Sequence, residues 1–171
     1  MKKYPTKDGG TVILREAGED DIQGLLDVMD SVASEGRYTP AERIHDLQRE
    51  LIAKSIKEKA GWLVAEMDGR IVGEGNLHSQ RFRTKSQHVA VLGMNILKNY
   101  RGIGIGNAMM DYMISWAKER GYKKISLSVF STNQPAINLY KKFGFEIEGV
   151  KKREFKINGE YVDEILMALF L

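Results

Sequence analysis

A glycine-rich segment with one arginine is the part of this sequence best suited to chemistry. It reads Asn99-Tyr100-Arg101-Gly102-Ile103-Gly104-Ile105-Gly106. If a helix follows it, such a turn exposes backbone N–H groups at the positive end of that helix, where a phosphate can bind. Glycine lets the main chain approach the anion and adopt positive φ, and Arg101 adds a guanidinium that pairs well with phosphate. The segment therefore predicts a site for a phosphorylated cofactor.

The flanking elements would hold this segment in place. The run from Val89 to Leu97 is short, β-branched and nearly uncharged, which is typical of a buried strand. Beyond the glycines, Met109, Met113 and Trp116 recur at helical spacing. The glycines thus lie on a predicted strand-to-helix turn. Gly93 within the strand indicates either a bulge or a close backbone approach.

Two common nucleotide-binding motifs fit the glycines poorly. A P-loop requires Lys and Ser or Thr after its last glycine, where this chain has Asn107 and Ala108. A dinucleotide fingerprint requires G-x-G-x-x-G and an acidic residue at the end of the next strand. Here the spacing is G-x-G-x-G, and the predicted strand from Lys124 to Phe130 has no acidic residue. A glycine-rich turn without any ligand is the alternative.

A second motif lies downstream and narrows the choice. It reads Asn133-Gln134-Pro135-Ala136-Ile137-Asn138-Leu139-Tyr140-Lys141-Lys142-Phe143-Gly144-Phe145. In this order, R-x-x-G-x-G and N-x-x-A-x-x-L-Y-x-x-x-G-F resemble the two signature segments of the GNAT superfamily of acyl-CoA-dependent N-acetyltransferases. The resemblance runs from about Trp62 to the C-terminus, and the residues before Trp62 match only in outline.

The resemblance implies acetyl-CoA as cosubstrate and no metal. The glycine segment would bind the pyrophosphate, and the acyl-pantetheine arm would pair with strand backbone. The implied cofactor-binding residues are Met94, Asn95, Ile96, Arg101, Gly102, Ile103, Gly104, Ile105, Gly106, Asn107, Asn133 and Asn138. Other roles stay open for some of them: core packing for the strand side chains, a helix cap for Asn133 and a solvated helix position for Asn138.

Acyl transfer from a thioester to an amine requires a neutral amine, an oxyanion donor and an acid for the departing thiolate. A free alkylamine has a pKa of about 10.4, so a base, a water chain or desolvation must remove its proton. A strand N–H near Met94 to Ile96 would serve the oxyanion. By resemblance, Tyr140 is the general acid, with a half-buried structural tyrosine as the alternative. Direct attack in a ternary complex is expected, because the chain has no cysteine to acylate.

The general base is less defined. Where several relatives carry a strand glutamate, this chain has Ser128, which cannot act as that base. Glu74 in an earlier strand is a candidate, His78 and His88 are others, and water-mediated deprotonation is equally consistent.

The loop between the first two predicted helices contains Glu35 and Tyr38. By resemblance they would shape the acceptor pocket, and a plain surface loop is the alternative. The acceptor itself, a small amine, an amino acid or a protein N-terminus, is left open.

The pattern of apolar residues predicts a mixed α+β fold in one domain spanning residues 1–171. Expected strands are Thr11–Arg15, Trp62–Met67, Arg70–Leu77, Val89–Leu97, Lys124–Phe130, Phe145–Ile157 and Tyr161–Phe170. A first helix would be capped by Asp20 or Asp21, and Thr39-Pro40-Ala41-Glu42 forms a capping box for a second. The result is a GNAT-like, mostly antiparallel sheet of about seven strands with about four helices, splayed at the cofactor-binding strands.

Bulk properties exclude several classes. The formal net charge is +3, the chain has no cysteine, and no apolar run approaches the length of a membrane span. We therefore expect a cytoplasmic protein with no membrane or nucleic-acid partner, and a homodimer is left open. Two other hypotheses remain: a non-catalytic acyl-CoA-binding module, suggested by the missing strand glutamate, and a nucleic-acid binder, suggested by the pI of about 9.0 and the basic loop near Arg81.

Overall fold

A computed structural model describes residues 1–40, 46–79 and 84–171 of the chain. Those residues form eight strands and four α-helices. The strands are β1 (Lys2–Pro5), β2 (Thr11–Glu16), β3 (Trp62–Met67), β4 (Arg70–Ser79), β5 (Val89–Ile96), β6 (Lys124–Phe130), β7 (Glu146–Ile157) and β8 (Glu160–Phe170). The helices are α1 (Ile22–Ala33), α2 (Asp46–Lys57), α3 (Ile105–Glu119) and α4 (Gln134–Lys142).

All eight strands belong to one sheet, in the order β1-β2-β3-β4-β5-β6-β8-β7. Every neighbouring pair is antiparallel except β5 and β6, which run parallel. That parallel pair is in register only from Val89 opposite Lys124 to Val91 opposite Ser126. Beyond these residues the two strands diverge, which confirms the predicted splay. The opening at the divergence is where a ligand could reach strand backbone.

Two apolar clusters hold the layers together. On one face of the sheet, Leu25 of α1 and Ile52 of α2 pack with Val64 of β3. The larger cluster contains the methionines of α3 and the buried side chains of α4. Two tight hairpins join β3 to β4 and β7 to β8, where Asp68-Gly69 and Asn158-Gly159 take the positive φ that type I′ turns require.

Three local predictions differ from the structure. The strand β1 was not predicted; it is a short edge strand with mostly exposed residues, so it carries no apolar signal. Asp21 does not cap α1 with its side chain, because its carboxylate pairs with Arg15 and accepts from the N–H of Gly18. Gly93 causes no bulge: β4 and β5 stay in continuous register, and a Cβ at Gly93 would lie 2.9 Å from Asn76 Nδ2.

The capping box predicted at Thr39-Pro40-Ala41-Glu42 falls partly on residues 41–45, which lie outside the described residues. Most of the basic loop near Arg81 lies outside them as well.

Candidate functional site

A cleft of about 540 Å³ opens where β5 and β6 diverge. Its walls come from β5, β6, α4, residues 101–107 (the glycine loop) and residues 34–40 (the acceptor-side loop). The predicted site residues that line it are Tyr38, Met94, Asn95, Ile96, Arg101, Gly102, Gly104, Gly106, Asn107, Asn133 and Tyr140. The structure therefore brings together residues from both sequence motifs and from the loop between the first two helices.

The glycine loop has the geometry of an anion site. Gly102 and Gly104 have φ values of 82° and 105°, and Gly104 is the N-cap of α3. Within the described part of the chain, no acceptor is seen for the backbone N–H groups of residues 102–107. At Gly106, a Cβ would lie 3.2 Å from Leu139 of α4. The first two glycines thus turn the chain, and the third lets α3 and α4 approach closely.

The guanidinium of Arg101 is occupied by protein groups. It donates from Nε to the carbonyl of Ile96 at 2.8 Å and binds both carboxylate oxygens of Glu35, at 2.9 and 2.5 Å. The ring of Tyr38 lies 5.7 Å from the guanidinium carbon. A predicted cofactor residue and two predicted acceptor residues therefore form one cluster, which ties the acceptor-side loop to the end of β5.

Two lysines lie at the glycine loop. The main-chain N–H of Lys7 donates to the carbonyl of Ile103 at 2.9 Å, and Lys7 lines the cleft. Lys142 donates to Asn107 Oδ1 at 2.5 Å. Lys7 follows an unpredicted edge strand, so its approach to the loop depends on a tertiary contact that no local pattern indicates.

Tyr140 is buried in α4 and lines the cleft with 6% of its surface exposed. Its ring packs against Phe145, with centroids 5.7 Å apart. Burial raises the pKa of its hydroxyl from 10.0 to about 12. The hydroxyl therefore keeps its proton throughout the neutral range and has one to donate.

Glu74 is the one charged side chain that is completely buried among the described residues. It lies opposite Asn95 in the β4–β5 pair, and Asn95 Nδ2 donates to Glu74 Oε1 at 2.6 Å. Burial raises its pKa from 4.5 to about 7, against the opposing effect of the nearby amides of Asn95 and Asn76. Glu74 does not line the cleft. It reaches the site through Asn95.

The remaining predicted residues fall into three groups. Asn133 lines the cleft, but its side chain also accepts from the N–H of Ala136 at 3.3 Å and so caps α4. Asn138 is exposed and accepts a hydrogen bond from Gln134. The side chains of Ile103 and Ile105 pack into the core, which leaves only their backbone for a ligand.

The cleft offers few side chains for acid–base or metal chemistry. Ser128 lines the cleft. It is the residue at the position where, by resemblance, several relatives carry a strand glutamate. No Asp, Glu or His lines it in the part of the chain that the structure describes. Over the same residues, no group of three or more His, Cys, Asp or Glu side chains could hold a metal ion. No helix among them is long and apolar enough to cross a membrane.

Comparison with known proteins gives consistent results. The acetyltransferase (GNAT) family matches residues 27–145. An L-amino acid N-acetyltransferase of Escherichia coli is 41% identical over 110 residues, covering 62% of this chain and 65% of the relative, just under two thirds of its length. An N-alpha-acetyltransferase of Sulfurisphaera tokodaii is 36% identical over 120 residues, covering 64% of this chain and 69% of the relative.

Among solved structures, the ribosomal-protein-alanine N-acetyltransferase from Brucella melitensis superposes with a TM-score of 0.85 at 25% identity. The superposition covers 93% of this chain and 99% of that one.

Proposed function

We propose, from the premise that this chain belongs to the acetyltransferase (GNAT) family, that it transfers the acetyl group of acetyl-CoA directly to an α-amine. Residues 1–171 would act as one acetyltransferase domain, and the site of action would be the cytoplasm. The observation that carries the proposal is a single cleft that holds the glycine loop, with its exposed backbone N–H groups, at one end and a protonated, buried Tyr140 in its wall.

The cleft fits an acyl-CoA. The N–H groups of residues 102–107, for which the described residues offer no acceptor, would bind the pyrophosphate, and at Gly102 and Gly104 an added Cβ would meet open space. Because Arg101 is paired with Glu35, the nearby cationic charge would come from Lys7 and Lys142. The diverging edge of β5 offers main-chain groups of Met94 to Ile96 to the pantetheine arm.

Acetyl-CoA, when bound, supplies a thioester whose acyl carbon accepts the lone pair of an amine, so that a C–N bond forms and the C–S bond breaks. Tyr140 would hold its proton at Oη until the sulfur takes it, and solvent would then reprotonate the phenolate. Main-chain N–H groups of β5 would stabilise the oxyanion. The products are an N-acetylated amine and a free thiol.

Solvent is the proposed acceptor of the amine proton. The described cleft residues include no Asp, Glu or His, and Glu74 is enclosed behind Asn95. A water-mediated path needs only an open cleft and a fraction of neutral amine, which increases with pH. The alternative of a non-catalytic acyl-CoA-binding module draws its support from the same missing carboxylate.

An α-amine is the acceptor class that the relatives have in common. The relatives are named an L-amino acid N-acetyltransferase, an N-alpha-acetyltransferase and a ribosomal-protein-alanine N-acetyltransferase. A free amino acid and a protein N-terminus both present an amine on the carbon that carries a carboxylate or carbonyl group. We therefore place free L-amino acids and protein N-termini ahead of polyamines and lysine side chains.

The test is release of free thiol from acetyl-CoA against a panel of the twenty L-amino acids, a hexapeptide beginning with alanine, spermidine and Nα-acetyl-lysine. Turnover with an amino acid or the peptide supports the proposal, and the better of the two identifies the acceptor type. Turnover only with spermidine or the lysine derivative would contradict the α-amine. If acetyl-CoA raises the Tm but no amine releases thiol, the non-catalytic module is the better account.

A further inference from the structure

The side chain of Asn95 has one end held by a buried carboxylate and the other end free. Its Nδ2 donates to Glu74 Oε1 at 2.6 Å, and Glu74 is 0% exposed. Asn95 itself is only partly buried and lines the cleft. Among the described residues, its Oδ1 has no hydrogen-bond partner.

The chemistry of the pair fixes which end of the amide faces Glu74. Burial raises the pKa of Glu74 to about 7, and above that pH its carboxylate can only accept hydrogen bonds, so the NH₂ group of Asn95 must be the end that contacts it. Rotating the amide by 180° would bring Oδ1 against the carboxylate oxygen, and two acceptors in a buried site repel each other. Glu74 therefore keeps Oδ1 of Asn95 turned away from itself.

The strands beside Glu74 and Asn95 determine the face of the sheet on which the pair is buried. Glu74 lies opposite Val64 on β3, whose side chain packs with α1 and α2, so the pair lies on that face of the sheet. Asn76 lies opposite Gly93, where the missing Cβ leaves space for its side chain. A buried carboxylate with one orphaned oxygen, Glu74 Oε2, is costly to keep in a core. Such a cost is most readily explained by a function.

We propose that Oδ1 of Asn95 accepts a hydrogen bond from the acceptor amine, and that Glu74 is the positioning residue that holds the amide in that orientation. The proposal rests on the proposed function, since it assigns a holder for the amine in the same cleft. It gives the Asn95 side chain a role beyond the backbone pairing that the sequence predicts for this residue.

A role of this kind favours amines over hydroxyl groups. A neutral primary amine has two N–H bonds: one proton leaves after attack, and the other stays in the amide product and can remain bonded to Asn95 throughout. An alcohol has a single O–H, which must be lost, so the contact with Asn95 would break during the reaction. The site thus distinguishes the two nucleophiles by the number of hydrogens that each can keep.

The experiment compares four variants with the wild type, using the panel member that the wild type acetylates with the highest kcat/KM. We expect Asn95→Ala to lower kcat/KM for that acceptor about tenfold, the value of one good hydrogen bond, with the Kd for acetyl-CoA within about twofold because the cofactor uses main chain here. Glu74→Leu, which removes the anchor at similar volume, should lower it about fivefold. Glu74→Gln, which can still accept from Asn95, should restore most of the loss.

Asn76→Ala is the matched control. It removes a polar side chain from the same cluster, one that touches Glu74 but does not line the cleft. We expect a lower Tm with kinetic constants close to those of the wild type. A purely structural cluster would instead give Asn95→Ala and Asn76→Ala the same profile, a loss of Tm without a change in acceptor KM.

The outcomes separate this inference from the proposed function. Wild-type turnover with an unchanged acceptor kcat/KM in Asn95→Ala overturns the role of Asn95 alone. An equal loss of acetyl-CoA affinity in that variant also overturns it, because the side chain would then serve the cofactor. A wild type that acetylates no panel member overturns the proposed function itself.

Discussion

The two ends of the cleft are built in different ways. The glycine loop is one contiguous stretch with positive φ at Gly102 and Gly104, and its backbone N–H groups find no acceptor among the described residues. The acceptor side is assembled from side chains of distant segments: Glu35 on Arg101, Asn95 on Glu74 and Tyr38 over the same arginine. A site made of backbone can be recognised from a short motif. A site made of paired side chains depends on which partners the fold brings together.

The largest expected effect tests whether Tyr140, in the wall of the cleft between these two ends, is the general acid. We expect Tyr140→Phe to lower kcat at least about a hundredfold, the usual value of a general acid, and to leave the Kd for acetyl-CoA within about twofold. Steady-state thiol release and isothermal calorimetry give the two numbers. Tyr122→Phe is the control, since Tyr122 stacks on Trp116 and does not line the cleft. Full turnover in Tyr140→Phe would remove this residue from the mechanism.

The pH dependence of the wild type gives a second test of the same residue. Because burial raises the pKa of Tyr140 to about 12, the hydroxyl is protonated at every pH below about 10. The rate should therefore increase from pH 6 to pH 9 as the acceptor amine loses its proton, without a decline from tyrosinate formation. A bell-shaped profile with an alkaline limb near pH 8 that Tyr140→Phe abolishes would contradict the raised pKa of Tyr140, although not its role as the acid.

The next effect concerns stability on the acceptor side. The folded-state pKa of Glu74 is raised from 4.5 to about 7, so the folded protein binds this proton more tightly than the unfolded chain does. Stability should therefore fall as pH rises between these values, and above pH 7 the charged carboxylate carries the full cost, about 3 kcal/mol at most. Glu74→Gln should recover part of that free energy of unfolding at pH 8 and little at pH 4.5.

Urea unfolding at the two pH values measures the effect. Glu160→Gln on the exposed end of β8 is the control and should change neither value. If Glu74→Gln destabilises the protein equally at both pH values, then packing of the carboxylate, and not its ionisation, determines the stability of this cluster.

A smaller effect is expected from the backbone of the glycine loop. Gly104→Ala places a Cβ on a residue with φ of 105°, so the loop must shift and its N–H groups with it. We expect the Kd for acetyl-CoA to rise about tenfold. Gly121→Ala puts the same strain at the other end of α3, where φ is 78°, and should lower Tm without changing the Kd. If Gly104→Ala leaves the Kd for acetyl-CoA as unchanged as Gly121→Ala does, the loop does not bind the cofactor.

Local sequence patterns predicted most of the fold because the signals were local. Asp68-Gly69 fixes a hairpin, the run from Val89 marks a strand, and Gly104 marks the start of a helix. The splay between β5 and β6 followed from the family resemblance. The edge strand β1 was missed, because a mostly exposed strand of four residues with a proline has neither alternation nor apolar content.

The site was predicted unevenly for the same reason. The glycines and Tyr140 come from motifs, and the structure places them in one cleft. The sequence interpretation made Arg101 a phosphate ligand, but its guanidinium contacts Glu35 across a separation of 66 residues. Pairing at that distance depends on the packing of α1 against the sheet. Gly93 was read as a bulge or a close approach, and only the position of Asn76 determines which.

The smallest expected effect tests whether Arg101 supports binding of the acceptor or binding of acetyl-CoA. If its role is to hold the acceptor-side loop, then Glu35→Gln should loosen that loop. We expect the acceptor KM to rise about threefold, because solvent still partly screens a pair whose side chains are 32% and 16% exposed. The Kd for acetyl-CoA should not rise, since the backbone of residues 102–107 is untouched and the guanidinium is freed to approach a phosphate. Glu154→Gln, which removes an exposed pair with Lys151, is the control. A weaker Kd for acetyl-CoA in Glu35→Gln would mean instead that the ion pair supports the glycine loop, and the two ends of the cleft would then act as one unit.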